Sequence, residues 1–439
     1  MPCQDVIGVV RLLIESRGDW EIMVTHVYLI PGYMGFHSVG SMNYFRRVPE
    51  LLAELLAARG ITDAMIKECP TVPAGSIARR AQRALLQIVE AGGHKADNVH
   101  IVGHSTGGLD ARLLCAPGVR LTPGTLEEEV GTRIRSVITL STPHFGAPLA
   151  YFLMSLPVRR SLEYLGWFGV SGRGRLAAMT LSRIVQLAAR SDDWLGRTDT
   201  PLDSFVAKVL RRMTLRPDDP LWEFLTEMRQ DQGAGLQLTM ESLHLFNAAV
   251  ADRPGTRYSC VIAIAPPPEY RFPRGAITAV KLASHAVYRA LYAIACRASS
   301  QYPYTAMDIE QMNWSGFSSP IPITRTSSDG VVPCQSQAYG RILDVVLGDH
   351  LDVVGQFPNA GGDPHADWLP SDAGFDESRF HHVWSLVAQE IVDAQLQREV
   401  PAARPATRQI GVVPSPQAGR AQPQGARVET KPARSKLGT

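Results

Sequence analysis

The chain has 439 residues, 45% of them hydrophobic, 20% charged and 7% aromatic, which is enough apolar material for a large core and excludes disorder of the whole. Its net charge is +2, from 44 Lys/Arg and 42 Asp/Glu, so composition gives no reason to expect a nucleic-acid partner or an acidic substrate. The charge is unevenly spread: from Pro401 onward seven Lys/Arg stand against one Glu, and the six Pro of that stretch predict a flexible, solvated basic tail over 399–439.

At the other end, Asp5, Arg11 and Glu15 interrupt the apolar residues, so the first 22 residues lack the core and cleavage site of a secretory signal. Met23 directly precedes a strong strand pattern, and 1–22 are expected to be an extension outside the folded domain. No window has the roughly 18 or more apolar residues of a membrane span. Cys3, Cys69, Cys115, Cys260, Cys296 and Cys334 show no CxxC spacing and read neither as a zinc or redox site nor as a disulfide framework. The expectation is a soluble protein of a reducing compartment, cytoplasmic by default.

In chain order, apolar runs predict strands at Thr25–Ile30, Val99–Val102, Ser136–Leu140, Arg257–Ala265 and Arg341–Val346. Between the first two, helices are expected over about Phe45–Arg59 and Ser76–Ala91, the second with Ser76 as N-cap and Gly92-Gly93 as its stop. Such alternation is the mark of a mostly parallel sheet covered by helices. It stops after Pro148: 151–250 reads as an inserted helical cap, and about Arg274–Ala298 as a second helical stretch. The expected organisation is a core of 23–150 and 251–398 carrying that cap.

The sharpest chemical signal is Gly103-His104-Ser105-Thr106-Gly107, a G-x-S-x-G directly after a strand and before a helix, followed by Gly108. In that context the glycines relieve a strained strand-to-helix turn and leave the Ser105 hydroxyl exposed at a helix N-terminus. A serine hydroxyl needs a His to take its proton and a carboxylate to orient that His. On a sheet of this kind they follow as Ser, Asp, His, which points to Asp329 in SSDGVVP and His350 in GDH. Asp344 and Asp349 compete for the acid; the first lies within a strand and the second is adjacent to the His. His104 and His144 are expected to shape loops, and His381-His382 to lie on the surface of a late helix. Oxyanion donors are expected from the backbone N–H of Thr106 and, in the Pro31-Gly32-Tyr33 loop, of Tyr33.

Together PGYMG, GHSTGGLDARLL, STPHFGAP, SSDGVVP and GDHLDVVGQF resemble bacterial lipases and esterases of the α/β-hydrolase fold, similar to the triacylglycerol lipases of pseudomonads. The resemblance covers roughly 24–150 and 255–395. It departs in the oxyanion loop, where Pro31-Gly32 replaces the usual His-Gly, and in the missing secretion signal. It implies Ser105 as nucleophile, His350 as base and Asp329 as orienting acid of a carboxylic-ester hydrolase. No cofactor is implied for the chemistry. A structural calcium on Asp352 and Asp308 is implied; the alternative for Asp352 is capping of the segment VVGQF.

Within the insertion, LAYFLMSLP and YLGWFGV are expected to pack on the sheet and line an acyl pocket, or to form a lid with Trp167 and Phe168 at its tip touching a lipid interface. A lipid or small ester is the expected substrate, and oligomeric state is open. Acyl transfer to an alcohol, phospholipase A or thioesterase activity would use the same triad. A noncatalytic acyl-binding or partner-binding protein of the same fold is the reading from a different class.

Overall fold

The computed structural model describes residues 24–33, 38–39, 42–153, 233–268, 288–296, 316–358, 360–362, 367 and 369–396. The chain divides into two units, Met1–Glu399 and Val400–Thr439, and all described residues lie in the first.

The chain runs through β1 (Thr25–Ile30), a small antiparallel pair β2 (Ser38–Val39) and β3 (Met42–Asn43), then α1 (Val48–Ala57), β4 (Met65–Glu68) and α2 (Ile77–Glu90). It continues with β5 (Asn98–His104), α3 (Thr106–Cys115), α4 (Leu126–Gly131), β6 (Ile134–Leu140) and α5 (Leu149–Leu153). After the insertion come α6 (Gly233–Gln237), α7 (Met240–Ala249), β7 (Arg257–Ile264), α8 (Cys334–Gln337), β8 (Arg341–Leu347) and α9 (Glu377–Leu396). Six strands form one sheet in the order β4-β1-β5-β6-β7-β8, every neighbouring pair parallel.

Successive side chains of a strand face opposite sides, so a sheet buried on both faces needs continuous apolar runs. Val27 and Leu29 of β1 join one core with Val102, Ile138, Leu52 of α1 and Val383, Trp384 and Val387 of α9. Tyr28 and Ile30 join the other with Ile101, Val137, Ala84 and Leu85 of α2 and Leu114 of α3. From β1 the chain steps outward to β4, then returns to β5 on the other side of β1. That reversal leaves a crevice beyond the carboxyl ends of β1 and β5, where ligands bind in open α/β sheets. In register, Ile30 lies opposite Gly103, which sets the loop after β1 beside the turn after β5.

All five expected strands form within two residues of their expected ends. The short pair β2 and β3 was not expected, and in the main sheet the missed strand is β4, Met-Ile-Lys-Glu, a half-buried edge strand whose polar residues carry no alternation signal. Ser76 does cap α2, its Oγ accepting from Arg79 N at 3.4 Å. α1 begins at Val48 rather than near Phe45, with a proline in its first turn. At the ends of the insertion α5, α6 and α7 are helical; residues 154–232, with Trp167 and Phe168, lie outside the described residues. Of the second helical stretch, residues 288–296 are helical. The described cysteines Cys69, Cys115, Cys260, Cys296 and Cys334 are free. Among the described residues no helix is long and apolar enough to cross a membrane.

His100 of β5 is fully buried, with Nδ1 2.8 Å from Ser136 Oγ and Nε2 3.2 Å from Gln395 Nε2. Because the Gln395 amide nitrogen can only donate, His100 Nε2 accepts and Nδ1–H points at Ser136. Burial, with Arg135 adding to it, lowers the ring's pKa to about 3. The unfolded chain therefore binds the extra proton first as pH falls below about 6.5, and this ring's contribution to stability drops by about 1.4 kcal/mol per pH unit there. At pH 5 the loss from this ring should be about 2 kcal/mol. Urea unfolding of His100→Gln between pH 6.5 and 5 should show a correspondingly shallower decline than wild type, and parallel declines would remove His100 as the cause.

Candidate active site

Ser105 joins β5 to α3 with φ 54° and ψ −129°, left-handed backbone on a non-glycine residue. Such a conformation costs on the order of 1–3 kcal/mol and persists only where its surroundings enforce it. Two close approaches do so. A Cβ on Gly107 would run into the carbonyls of Ile30 and Pro31, and one on Gly32 would lie 2.5 Å from Ser105 Cβ and 3.0 Å from its Oγ. Gly107 and Gly32 thus let β1 and its loop press against the turn, while a Cβ on Gly103 would lie 2.5 Å from Gly107 O and Gly108 N, so that glycine relieves the turn itself as expected. Ser105 N also donates to Leu140 O at 2.9 Å, tying the turn to β6.

The loops after β7 and β8 bring the other two groups. His350 Nε2 is 3.0 Å from Ser105 Oγ, and His350 Nδ1 is 2.7 Å from Asp329 Oδ2. A carboxylate only accepts, so Nδ1 carries the proton and Nε2 is free to take one from Ser105. Asp329 is wholly buried and fully bonded: Oδ1 accepts from Val331 N at 2.9 Å and Val332 N at 2.7 Å, and Oδ2 accepts in addition from Gln337 Nε2 at 3.2 Å. His350 N donates to Asp329 O at 3.0 Å, so the two loops are joined through backbone as well as side chain. Behind them Trp384 Nε1 of α9 donates to Val353 O at 3.0 Å and fixes the segment after the His.

The competing carboxylates face elsewhere. Asp344 Oδ2 meets His382 Nε2 at 2.7 Å and the Ser318 hydroxyl. Asp349 Oδ1 accepts from Leu351 N at 2.9 Å and Asp352 N at 3.2 Å, a local turn bond that leaves the His350 ring alone. His144 lies between Thr139 Oγ1, 3.0 Å from its Nε2, and Arg112, and burial with the nearby guanidinium holds its pKa well below the usual range. His104 is likewise held neutral, by burial first and by its proximity to His350.

Tyr33 and Thr106 line the same cavity as Ser105 and His350, a space of about 240 Å³. Its walls are otherwise mainly apolar, from Ala147, Leu149, Ala150, Leu238, Val331 and Leu351 among others. The loop bearing Tyr33 is held from below by Arg80, fully buried on α2, whose Nη2 donates to Pro31 O at 2.7 Å and Gly32 O at 3.1 Å. In a trans peptide the C=O and the next N–H point opposite ways. With Gly32 O turned to Arg80, the Tyr33 N–H is directed to the far side. Arg80 also donates to Val72 O and pairs through Nε with Asp110 Oδ2, both at 2.9 Å; burial raises the Asp110 carboxyl to about 6 against the pull of Arg80.

Asp352 does not cap the short 3-10 turn Asp352–Val354: its Oδ2 accepts from Asp349 N at 2.8 Å, backward along the chain. Its Oδ1 is buried without a hydrogen-bond partner, as is Asp367 Oδ1, and both residues border one small cavity. Burial, and for Asp352 the neighbouring Asp349 and Asp367, raises both carboxyl pKa values, that of Asp367 to about 7. Orphaned carboxylate oxygens on a shared cavity fit a hard cation. Asp308 lies outside the described residues. Among the described residues no group of three or more His, Cys, Asp or Glu is arranged to hold an ion.

No family model matches the chain, and no curated protein does. Among solved structures it is similar to Staphylococcus hyicus lipase, at 12% identity over 86% of this chain and 97% of that one, TM-score 0.44. Lipase 1 from Pelosinus fermentans is 16% identical over 84% and 98%, TM-score 0.44, and EstA from Clostridium botulinum 18% over 85% and 90%, TM-score 0.42. These neighbours are bacterial lipases and esterases, and none of the three is a pseudomonad protein. The fold is that of the α/β-hydrolases. Sheet order, switch point and the strained serine turn carry that assignment.

Sequence patterns missed Tyr44, Arg80 and Gln337, all in contact with the residues above. Only Arg80 left a trace: it stands on the apolar stripe Ile77, Ala81, Ala84, Leu85, Ile88, where a charge has to be paired. Arg80→Leu should destabilise by about 3–5 kcal/mol, since it strands the Asp110 carboxylate and three carbonyls, whereas Arg80→Leu with Asp110→Leu should recover much of that loss. Urea unfolding decides; a double variant no more stable than Arg80→Leu would show that the carbonyls, not the ion pair, carry the cost.

Proposed function

We propose that the protein is a serine hydrolase of carboxylic esters, a lipase or carboxylesterase. The observation that carries this reading is the unbroken set of contacts from Asp329 through His350 to Ser105, at the floor of an apolar cavity. Ser105 Oγ attacks the ester carbonyl while His350 Nε2 takes its proton, and Asp329 stabilises the imidazolium. The oxyanion is met by the backbone N–H groups of Tyr33 and Thr106, whose positions are set by Arg80 and by the start of α3. His350 returns the proton to the leaving alkoxide. Water, activated by the same ring, then attacks the acyl-enzyme carbonyl and releases the acid, regenerating Ser105.

The apolar walls favour an acyl chain over a polar or peptide substrate. Transfer of the acyl group to an alcohol, or cleavage of a phospholipid or thioester, follows the same steps with another acceptor or leaving group, and substrate profiling separates them. A calcium ion, if bound, would be held by Asp352 together with Asp367 or Asp308. It would fix the loop after His350 and neutralise its buried carboxylates, with no bond made or broken through it.

Hydrolysis of p-nitrophenyl esters from C2 to C16 tests the reading. Ser105→Ala should fall to background, and Asp329→Ala should lose about 10⁴-fold in kcat. Asp344→Ala should stay within about tenfold of wild type, because its carboxylate serves His382. A folded wild type that hydrolyses none of these esters and does not react with a fluorophosphonate would favour the noncatalytic binding reading.

For the ion, calcium at a hundredfold excess over Kd should stabilise by about 2.7 kcal/mol, read as a rise in melting temperature reversed by chelator. Asp352→Asn should abolish that rise. A melting temperature indifferent to both calcium and chelator would remove the ion.

A further inference from the structure

Four groups around Ser105 form a hydrogen-bonded chain whose polarity is fixed at both ends. Gly32 N lies 2.8 Å from Tyr44 Oη, Tyr44 Oη 2.7 Å from His104 Nδ1, and His104 Nε2 2.8 Å from His350 O. A backbone N–H can only donate and a backbone C=O can only accept. His104 Nε2 must therefore carry the ring proton of the neutral imidazole, which leaves Nδ1 as an acceptor. The Tyr44 O–H then has one direction open to it on this path, toward Nδ1, while its oxygen receives Gly32 N–H.

The chain starts one peptide before the Tyr33 N–H and ends on the backbone of His350. It bypasses Ser105 while touching what lies on both sides of it: a Cβ on Gly32 would be 2.7 Å from Tyr44 Oη and 2.5 Å from Ser105 Cβ, and the rings of His104 and His350 are 4.8 Å apart. His350 is thus gripped twice through its main chain, its N–H by Asp329 O and its C=O by His104. Tyr44 and His104 are both buried, and His104 directly precedes Ser105 in β5. A shift of the Gly32 loop is therefore transmitted to the His350 loop through two rigid rings.

Resting on the ester-hydrolase reading, we propose that Tyr44 and His104 are positioning residues that hold the oxyanion loop and the His350 loop at a fixed separation across Ser105. Tyr44 also lines the cavity, but on this proposal neither residue exchanges a proton with substrate. Their effect is to keep the Tyr33 N–H and His350 Nε2 in register with one tetrahedral carbon, a geometry in which a displacement of about 1 Å can cost about 10²-fold in rate.

The test is steady-state kinetics on p-nitrophenyl butyrate with Tyr44→Phe, His104→Leu and the double variant, beside thermal melts of each. Tyr44→Phe should lower kcat by about 10–10²-fold with KM within about twofold, since the ring that lines the cavity is kept and only the hydroxyl is lost. Because both substitutions cut one chain, the double variant should lose no more than about the larger single loss, not the product. His104→Gln, which keeps an N–H donor near the Nε2 position, should recover part of the loss of His104→Leu. Variants with lowered melting temperature but wild-type kcat at 25 °C would mark a merely structural role and overturn the proposal, as would losses that multiply. If wild type is active and Ser105→Ala inactive while Tyr44→Phe keeps its kcat, only the positioning chain falls. If wild type hydrolyses no ester, the ester-hydrolase reading and this proposal fall together.

Discussion

The site depends on the contact between the end of β1 and the turn after β5, where a Cβ on Gly107 would lie 2.2 Å from Ile30 O. Ser105 stands at φ 54° in a turn that Gly103 leaves free of a clashing Cβ, and Gly32 and Gly107 allow the two backbones to meet with no side chain between them. That contact exists because the chain reverses direction in the sheet at β1 and β5, so their neighbouring carboxyl ends open a crevice with no crossover above it. Everything else at the site is arranged around a hydroxyl whose position the backbone has already set.

Holding such a site together requires polar groups in a place that also has to be dry. The structure separates the two demands by depth. Above Ser105 the cavity walls are largely aliphatic; below and beside it, buried polar groups are satisfied almost entirely by backbone. Arg80 spends its guanidinium on three carbonyls and one carboxylate, and Asp329 accepts from two main-chain N–H groups besides His350 and Gln337. Such bonds fix loop conformation, which is where irregular segments would otherwise drift, and in a low-dielectric interior each is expensive to leave unmade. Some buried oxygens are left without partners, among them Thr106 Oγ1 and Asp110 Oδ1, and at one edge Asp352 and Asp367 keep orphaned oxygens on a shared cavity. The site is rigid where the proposed chemistry needs it and unsatisfied where a cation could bind.

Much of this was legible in the residues, and the reason differs from element to element. β1, β5, β6, β7 and β8 were readable because strands buried on both faces are nearly uninterrupted apolar runs. β4 was not, since an edge strand of Met-Ile-Lys-Glu needs neither alternation nor apolarity. Ser105, Asp329 and His350 were singled out from local context and chain order, and the structure places Asp329, His350 and Ser105 in a row, each within hydrogen-bond distance of the next. The choice of Asp329 over Asp344 was an argument about position in a strand; the decisive fact is that Asp344 is already taken by His382 on α9, a partner 38 residues away. The alternative for Asp352, capping of the following turn, does not hold for a similar reason. A carboxylate can bond backward as well as forward, and here Asp349 N, three residues upstream, was the donor within reach.

His104 shows the limit most plainly. Its neighbours in sequence mark it as part of a serine turn and nothing more, so a loop-shaping role was the natural reading. What distinguishes it is that Tyr44, 60 residues before it, and the carbonyl of His350, 246 residues after it, converge on its two nitrogens. A ring with two distinguishable nitrogens is the one side chain that can accept at one end, donate at the other, and fill the space between with a rigid spacer. Asn and Gln offer both functions at a single end of the side chain, and Ser or Thr at a single atom. The choice of histidine beside the serine therefore follows from a span between two loops, and spans between loops are a property of the fold that no local window of residues contains.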